Sequence, residues 1–412
     1  MSAGELSIAL LTYRGNPHSG GQGVYVRYLS RALTDLGHRV EVFAGPPYPE
    51  LHQSVALTKV PSLDLYRPDA LFRRPKRSEY RDVIDIAEYA MMRRRRFPEP
   101  LTFSLRVARA LTSRASEFDV AHDNQCLGYG LLRLKRGLPV LATIHHPISI
   151  DRDLALADAP DANERKRARR WYGFTTMQGR VARRLPRIVA VSGAARDDVV
   201  RKFRVQADRI AVVHHGVDAD LFRPVPDVRP IPGRIVTTAS SAMPLKGLVY
   251  LIEAMAKLST EKEASLVVVG SPDQGGPVAD AIARYDLEHS VTFRSGIPDR
   301  ELVAEYARAE VAVVPSLYEG FCLPAIEAMS SAVPLVTTTA GALPEVVGPD
   351  GDCSLHVPPG DAGALAITIA RLLDDPDLRA RLAARGRERA TTRYTWRAAA
   401  QATVDAYRAI VC

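Results

Sequence analysis

Short apolar runs recur along the whole chain, and longer segments in which apolar residues repeat every three or four positions separate them. Runs without polar alternation are typical of parallel strands that are buried on both faces. The first group of runs lies at residues 7–13, 39–45, 54–60, 119–124, 139–146, 187–192 and 209–214. The second group lies at residues 234–240, 265–270, 291–295, 311–316, 334–339 and 354–358.

Helical periodicity is clearest after the first run of each group. Val26, Leu29 and Leu33 step by three or four positions, and the pattern stops at Gly37, a residue that suits a helix end. The same spacing recurs in residues 248–258. Strands that alternate with helices in two series predict an α/β protein with two doubly wound domains.

The boundary between the two domains is predicted near the proline-rich residues 222–233, because prolines disrupt both helix and sheet bonding. The predicted domains are residues 1–222 and residues 223–394. A chain of 412 residues is long enough for two cores. The Arg-rich insertion 66–97 shows no clear strand pattern.

Composition favours a globular protein in a reducing compartment. The hydrophobic fraction of 46% is ordinary for a folded chain. Four cysteines have neither metal-ligand spacing nor the density of a disulfide framework. The N-terminus does not resemble a signal peptide, and no apolar run approaches the roughly 20 residues that span a bilayer. The predicted location is therefore the cytoplasm.

The formal net charge of +8 is clustered at residues 73–77, 93–96 and 165–184. The last stretch has eight basic residues and no acidic one, interleaved with large apolar side chains, a pattern typical of interfacial segments. These side chains are Trp171, Tyr172, Phe174 and Met177. An anionic membrane surface is thus a predicted partner, and a plain solvated face is the alternative. No nucleic-acid motif is present, so nucleic acid is not expected as a partner.

Two carboxylates flank a turn between a predicted strand and a predicted helix, in residues 318–329. Glu319 lies in the turn, and Glu327 lies one helical turn inside the helix, close enough to accept hydrogen bonds from a vicinal diol. The backbone amides at the helix start favour an anion such as a phosphate. These amides belong to Gly320, Phe321, Cys322 and Leu323. The alternative is that both glutamates are ordinary loop and surface residues.

Other candidates lie at predicted strand ends. Gly20 and Gly21 follow the first strand in a glycine-rich turn that an anionic group could approach closely. Lys246 follows the first strand of the second domain and can place a charge on an anionic ligand, although most lysines are only solvated. His145 closes another strand; such a residue is more often a structural hydrogen-bond partner than a ligand contact. Asp123 and Asn124 close the preceding strand and are candidate ligand contacts.

The run Pro-Ser-Leu-Tyr-Glu-Gly-Phe-Cys-Leu-Pro-Ala-Ile-Glu-Ala-Met at residues 315–329 resembles the signature of retaining GT-B glycosyltransferases of family 4. The resemblance extends through residues 291–297 and 334–347 and covers nearly the whole chain. It implies two Rossmann-like domains that face a central cleft. It also implies that the last helix, residues 395–412, crosses back to complete the first domain.

The resemblance implies roles for the candidate residues. Glu319 and His145 would contact the donor sugar, and Lys246 would grip the diphosphate. Glu327 would bind the ribose, and Ile297 would lie beside the base. Gly20 and Gly21 would border the phosphates. Asp123 and Asn124 would contact the acceptor of the sugar. Relatives usually carry an Arg five or six residues before the Lys, where this chain has Ser241 and Ser240. Either another basic residue such as Arg294 substitutes, or the phosphate grip is weaker.

The implied activity is transfer of a hexose from a UDP- or GDP-linked donor to a hydroxyl acceptor, with retention of configuration. No metal or other cofactor is expected, because Lys246 and helix amides can neutralise the phosphates. Lipid-linked and cell-envelope acceptors both stay open, and so does peripheral attachment to the inner face of the membrane. The alternatives are a GT-B epimerase or nucleotide-sugar hydrolase, and a non-catalytic module that binds polyanions or membranes.

Overall fold

The computed structural model describes residues 4–16, 21–67, 70–241, 243–260, 262–272 and 275–411. The chain divides into two compact units, one made of Met1–His214 with Trp396–Cys412 and the other of His215–Thr395. The predicted boundary at residue 222 lies a few residues beyond the observed division.

The first unit is built on a parallel sheet whose described part has seven strands, in the order β3-β2-β1-β4-β5-β6-β7. Its strands are β1 Ser7–Thr12, β2 Arg39–Ala44, β3 Ala56–Lys59, β4 Val120–Asn124, β5 Val140–Ile144, β6 Arg187–Ala190 and β7 Ile210–Val212. Ile8, Leu10 and Leu11 are fully buried, so both faces of the central strand are covered.

Helices cover this sheet. They are α1 Gly21–Asp35, α2 Val83–Arg93, α3 Glu99–Thr112, α4 Gly130–Leu134, α5 Ser149–Ala157, α6 Ala162–Trp171, α7 Phe174–Ala182 and α8 Gly193–Phe203. The apolar stripe predicted for the first helix is confirmed, because Val26, Leu29 and Leu33 are fully buried. The chain turns at Gly37, whose φ of 87° places it in the left-handed region that favours glycine.

The second unit repeats the plan with a parallel sheet whose described part has six strands, in the order β10-β9-β8-β11-β12-β13. Its strands are β8 Arg234–Thr238, β9 Ser265–Val269, β10 Val291–Arg294, β11 Val311–Val314, β12 Leu335–Thr338 and β13 Leu355–Val357. Its helices are α9 Leu248–Leu258, α10 Pro277–Arg284, α11 Asp299–Arg308, α12 Leu323–Ser330, α13 Leu343–Val347, α14 Ala362–Asp374 and α15 Pro376–Arg393. The predicted α/β class with doubly wound parallel sheets is confirmed.

Strand order reverses once in each sheet, between β1 and β4 in the first unit and between β8 and β11 in the second. On either side of such a switch point the connections leave in opposite directions, which opens a crevice at the carboxyl ends of the two strands. Several candidate site residues, among them Lys246 after β8 and Glu319 after β11, follow these strand ends.

The final helix, α16 Trp396–Val411, belongs to the first unit. The Trp396 ring stacks on the Tyr28 ring of α1 with centroids 5.4 Å apart. The Tyr407 hydroxyl lies 2.6 Å from His122 Nδ1 in β4. Among the described residues, no helix is both long and apolar enough to cross a bilayer.

The Arg-rich insertion contains a helix that its sequence pattern does not reveal. In α2 the buried positions include the carboxylates Asp85 and Glu88. Arg106 of α3 donates to Asp85 Oδ1 at 2.5 Å and to Glu88 Oε2 at 2.7 Å. Glu88 also accepts hydrogen bonds from the Thr102 hydroxyl and the Leu63 amide. A buried ionic network therefore holds α2 on the domain.

We expect Glu88→Ala to lower the free energy of unfolding of the first unit by about 3 kcal/mol or more, because it leaves the buried Arg106 with one carboxylate fewer. Urea denaturation followed by circular dichroism measures the change. Asp197→Ala removes a carboxylate from an exposed pair with Arg196 and should change stability by less than about 0.5 kcal/mol. Equal effects of the two substitutions would contradict a structural role for the buried network.

Candidate active site

An ion pair joins the two strand ends at the switch point of the second sheet. Lys246 lies in a short turn after β8, and Glu319 lies in the loop after β11. Lys246 Nζ is 2.8 Å from Glu319 Oε1. The Ser316 hydroxyl donates to the same carboxylate oxygen at 2.7 Å. The structure therefore brings together two of the predicted catalytic residues.

Close backbone packing fixes this pair. Gly247 has a φ of 64°, and a Cβ atom there would lie 2.0 Å from the carbonyl oxygen of Pro315. The Leu317 amide donates to the Leu245 carbonyl at 2.8 Å, so the two loops are bonded directly. On the other side of Glu319, a Cβ atom on Gly341 would lie 2.2 Å from the Glu319 carbonyl oxygen. Only glycine fits at either position.

The positive charge of Lys246 and the negative charge of Glu319 balance each other. Burial lowers the pKa of Lys246, but the Glu319 carboxylate more than offsets this, so the pKa is raised and the ammonium stays charged. Glu319 itself is 7% exposed. An anion that reached Lys246 would meet a cation held in place and poorly screened by water.

The loop that carries Glu319 leads into α12 through a strained residue. Cys322 has a φ of 89°, which is uncommon for a residue other than glycine. Its thiol is buried, and burial raises the thiol pKa well above the usual value. Gly320 and Leu323 keep part of their surface accessible, whereas Phe321 is 3% exposed and packs against His215 and Tyr394. The Phe321 side chain is thus a packing group. The backbone amides that could meet an anion are those beside it at the start of α12.

Glu327 lies on the first turns of α12 and keeps part of its surface accessible. Burial of the carboxylate, together with repulsion from Asp299, raises the pKa of Glu327 to about 7. The Tyr306 hydroxyl is 3.5 Å from Glu327 Oε2, a long contact. A poorly solvated carboxyl group of this kind gains from hydrogen-bond donors that a ligand supplies.

The remaining candidates of the second unit sit at neighbouring strand ends. Ser241 follows β8, and its hydroxyl donates to the Ser271 carbonyl at 2.9 Å; Ser240 is half-buried beside it. Ile297 is half-buried in the loop after β10. Arg294 pairs with Glu301 at 3.0 Å and contacts Glu305 at 3.8 Å. Acidic partners from α11 thus engage the Arg that was considered as a substitute phosphate ligand.

His145 follows β5 in the first unit and is held by Asn124, which ends β4, and by Gln125, which follows it. His145 Nε2 lies 2.7 Å from Asn124 Oδ1. The Gln125 side chain accepts from the His145 amide at 2.5 Å and donates to the His146 carbonyl at 3.0 Å. The His145 ring also packs edge-on against the Tyr25 ring, with centroids 4.9 Å apart. Sequence reasoning missed Gln125, although its position next to two candidate polar residues was a usable signal.

Asp123 and Asn124, the predicted acceptor contacts, are both fully buried. Asp123 Oδ2 accepts from the Leu127 amide at 2.8 Å, and burial raises the pKa of Asp123 to about 7. The φ values of Gln125 and Leu127 are 57° and 51°, so the loop that Asp123 holds is strained. In this conformation the two side chains support the loop and His145, and a direct acceptor contact stays a prediction.

The glycine-rich turn is described in part. Gly21 begins α1, whereas Gly20 lies outside the described residues. Two positions further along, a Cβ atom on Gly23 would lie 2.0 Å from the Asn16 carbonyl oxygen. The chain therefore enters α1 by a close backbone approach that requires glycine.

A narrow recess lies at the carboxyl ends of β1, β2 and β3. Tyr13, Ser62 and Glu99 are among its lining residues. Arg14 donates to both oxygens of Glu99 at 2.6 and 3.0 Å, yet burial still raises the pKa of Glu99 to about 7. Sequence reasoning missed this pair, because Arg14 and Glu99 are far apart in the chain and neither lies in a recognisable motif.

Comparison with known proteins assigns the chain to a family. The model for glycosyl transferases group 1 matches residues 229–389, and the model for glycosyltransferase family 4 matches residues 19–221. An MMP alpha-(1->4)-mannosyltransferase of Mycolicibacterium hassiacum is 49% identical over 98% of both chains. The chain belongs to glycosyltransferase family 4. It is a glycosyltransferase, as the resemblance implied.

More distant family 4 relatives include the D-inositol 3-phosphate glycosyltransferase of Streptomyces scabiei, 29% identical over 96% of this chain and 87% of that protein. Among solved structures, the sucrose-phosphate synthase of Thermosynechococcus elongatus has a TM-score of 0.75 and 25% identity, covering 98% of this chain and 99% of the other. Anabaena HepE in complex with UDP-glucose has a TM-score of 0.71 and 17% identity, covering 98% and 100%. The fold is that of the GT-B glycosyltransferases.

We expect the neutral imidazole of His145 to carry its proton on Nε2. Asn124 Nδ2 donates to the Gln22 carbonyl at 3.2 Å, which leaves the Asn124 Oδ1 atom, an acceptor only, facing His145 Nε2. Nitrogen-resolved NMR at about pH 8, where an ordinary imidazole is neutral, identifies the tautomer. Asn124→Ala should give a mixture of tautomers, whereas Gln401→Ala on the exposed side of α16 should change nothing. A wild-type His145 protonated on Nδ1 would contradict this arrangement.

Proposed function

We propose that this glycosyltransferase moves a hexose, with mannose as the first candidate, from a nucleotide diphosphate sugar to a hydroxyl acceptor with retention of configuration. The observation that carries the proposal is the contact of Lys246 with Glu319 at the switch point of the second sheet, beside the start of α12. The mannosyltransferase relative at 49% identity supports mannose. The sugar carrier is UDP or GDP.

The donor diphosphate is proposed to bind Lys246 and the amides at the start of α12. Negative charge on the leaving group grows as the bond to the sugar breaks, so a fixed cation stabilises the transition state more than the bound donor. Glu319 then keeps one carboxylate oxygen for the sugar, since the Ser316 hydroxyl and Lys246 both contact its Oε1 atom.

The nucleoside is proposed to lie between Glu327 and Ile297. Two ribose hydroxyls would donate to the Glu327 carboxylate and lower its raised pKa, so donor binding should strengthen as the pH rises through about 7. Ser240 would supply a hydrogen bond but no charge to the phosphates, and Ser241 would do the same only by giving up its bond to the Ser271 carbonyl. Because Arg294 is already paired with Glu301, a phosphate grip weaker than in Arg-containing relatives is the alternative that we favour.

The proposed reaction exchanges two bonds at the anomeric carbon of the sugar. The bond to the diphosphate oxygen breaks, and a bond to the acceptor oxygen forms on the same face. The acceptor proton passes to the departing phosphate oxygen, so no protein base is required. An α-linked product, such as the name of the Mycolicibacterium relative states, is retention when the donor is also α-linked. His145 in the first unit remains a predicted contact of the sugar.

The acceptor is proposed to be a glycan that ends in a hexose with a free 4-hydroxyl group, because the linkage named for the relative at 49% identity is 1->4. The inositol phosphate enzymes, at 29% identity or less, make an inositol phosphate acceptor the second candidate. Incubation of GDP-mannose with short mannosides or with inositol phosphate separates the two. Isomerised or hydrolysed donor in the absence of any acceptor would instead favour an epimerase or a hydrolase.

We expect Lys246→Ala to lower kcat by about a hundredfold or more, since it removes the cation that balances the leaving group. Glu327→Ala should weaken donor use roughly ten- to a hundredfold while the protein stays folded, because charge-assisted hydrogen bonds to the ribose are lost. Glu388→Ala removes an exposed glutamate from α15 and serves as the control. Steady-state kinetics with varied donor measures all three. Unchanged kinetics in both the Lys246 and the Glu327 variant would contradict the proposed donor site.

We also propose that the reaction needs no divalent metal, because Lys246 and the α12 amides supply the positive field that the diphosphate requires. Turnover should therefore be unchanged within about twofold in excess EDTA, and added Mg²⁺ or Mn²⁺ should not restore or raise it. A loss of more than tenfold in EDTA that Mg²⁺ reverses would show that a metal shares the phosphates with Lys246.

A further inference from the structure

Helix α2 buries charged side chains and exposes aliphatic ones, the reverse of an ordinary surface helix. Its outward positions include Val83 and Ile86, which are 74% and 59% exposed. Its inward positions include the carboxylates Asp85 and Glu88, which are 0% and 1% exposed. Surface helices normally bury the apolar stripe and expose the charged one. Two large aliphatic side chains three positions apart thus form an apolar stripe on the surface.

The buried ion pairs prevent α2 from rotating to cover this stripe. Arg106 contacts both inward carboxylates, and Arg81 donates to Asp85 from its side chain and its backbone. Rotation would break these bonds and leave charges buried without partners, at a cost of several kcal/mol. The apolar stripe is therefore a fixed part of the surface.

The loop before α2 adds two more exposed apolar side chains, Leu71 at 61% and Phe72 at 56%. The Phe72 ring contacts the Tyr66 and Trp171 rings with centroids 5.6 and 6.3 Å apart. Trp171 ends α6, so an aromatic cluster ties the insertion to the basic stretch at residues 165–184. The structure thereby joins two Arg-rich segments that are about a hundred residues apart in the sequence.

These segments carry most of the net charge of the chain. Residues 67–97 contain ten Lys and Arg against five Asp and Glu, a net charge of +5 out of the total of +8. Two of those five acids are the buried Asp85 and Glu88, so the exposed charge is more positive still. Basic residues at positions 93–96 and at 165–167, 169 and 170 are all exposed.

We propose that this basic apolar face, made of the exposed residues within segments 71–96 and 165–170, docks on an anionic lipid bilayer. Aliphatic side chains would enter the interface while Lys and Arg contact the headgroups, each cation contributing about 1 kcal/mol near a charged surface. A second copy of the chain is disfavoured as the occupant, because a twofold interface would place the same arginines opposite each other. Nucleic acid is disfavoured as well, because three of the exposed apolar side chains, Leu71, Val83 and Ile86, are aliphatic, whereas nucleic-acid bases stack on flat rings such as Phe72.

The face differs from the one that the sequence indicates. Of the large apolar residues interleaved with residues 165–184, Met177 is buried, and Trp171 packs against the Tyr66 and Phe97 rings at 5.6 and 5.2 Å. These side chains hold the domain together rather than meeting a bilayer. The exposed apolar groups are supplied by the insertion instead.

Flotation with lipid vesicles tests the proposal independently of any glycosyl transfer. The full-length protein should float with vesicles that contain about one third phosphatidylglycerol at low salt, and it should be released at about 0.5 M NaCl. It should not float with pure phosphatidylcholine. Absence of binding to the anionic vesicles at low salt would overturn the proposal, and so would equal binding to both kinds.

A pair of variants separates the stripe from general surface hydrophobicity. Val83→Ser combined with Ile86→Ser should lower the partition coefficient into anionic vesicles at least tenfold, because two aliphatic side chains no longer enter the bilayer interface. Ile367→Ser, at a position 73% exposed in the second unit, should leave partition unchanged. Thermal melts confirm that both variants are folded. Wild-type binding by the double variant would overturn the proposal.

A self-association experiment tests whether a second copy of the chain occupies this face instead. Analytical ultracentrifugation of the wild type and of the Val83→Ser, Ile86→Ser variant should give the same oligomeric state. If the wild type is an oligomer that the double substitution dissociates, the face is an interface between copies of this chain, and the membrane proposal fails.

Discussion

Parallel pairing of the strands is the constraint on which the candidate site depends. In a parallel sheet every strand ends on the same edge, so residues from distant parts of the chain meet there without any further device. Lys246 and Glu319 are separated by the whole of β9, β10 and β11, yet β8 and β11 are neighbours and their following loops are bonded to each other. The same rule brings Asn124 and His145 together at the ends of β4 and β5 in the first sheet.

Charge compensation inside the protein explains how such an edge stays stable without a ligand. A buried ammonium or carboxylate alone would lose much of its hydration energy, whereas Lys246 and Glu319 neutralise each other at contact distance. Glu327 and Asp123 avoid the cost of a buried charge in another way, because their raised pKa values allow each carboxyl group to hold a proton near neutral pH. The proposed donor site is thus assembled in advance, and the ligand replaces interactions that the protein already makes.

The fold was largely predictable from the sequence, since each strand is a compact apolar run and the helices between them show regular spacing. The site was predictable where a motif is local, as for Glu319 and Glu327. Contacts between distant side chains were not, and so the Asn124 and Gln125 bonds to His145 and the Arg14 pair with Glu99 appear only in the structure. Helix α2 was missed for a physical reason: its carboxylates are buried by arginines from another helix, which reverses the periodicity on which sequence reasoning relies.

The last helix has a consequence for how the molecule is made. Helix α16 carries Trp396 and Tyr407 onto α1 and β4, so the first unit to be synthesised is also the last to be complete. Residues 215–395 can reach their own contacts while the ribosome is still translating, but the first unit keeps one helix site uncovered until α16 has been synthesised. Removing α16, with its buried Trp396 and Tyr407, would therefore damage the part of the protein that is farthest from it in sequence.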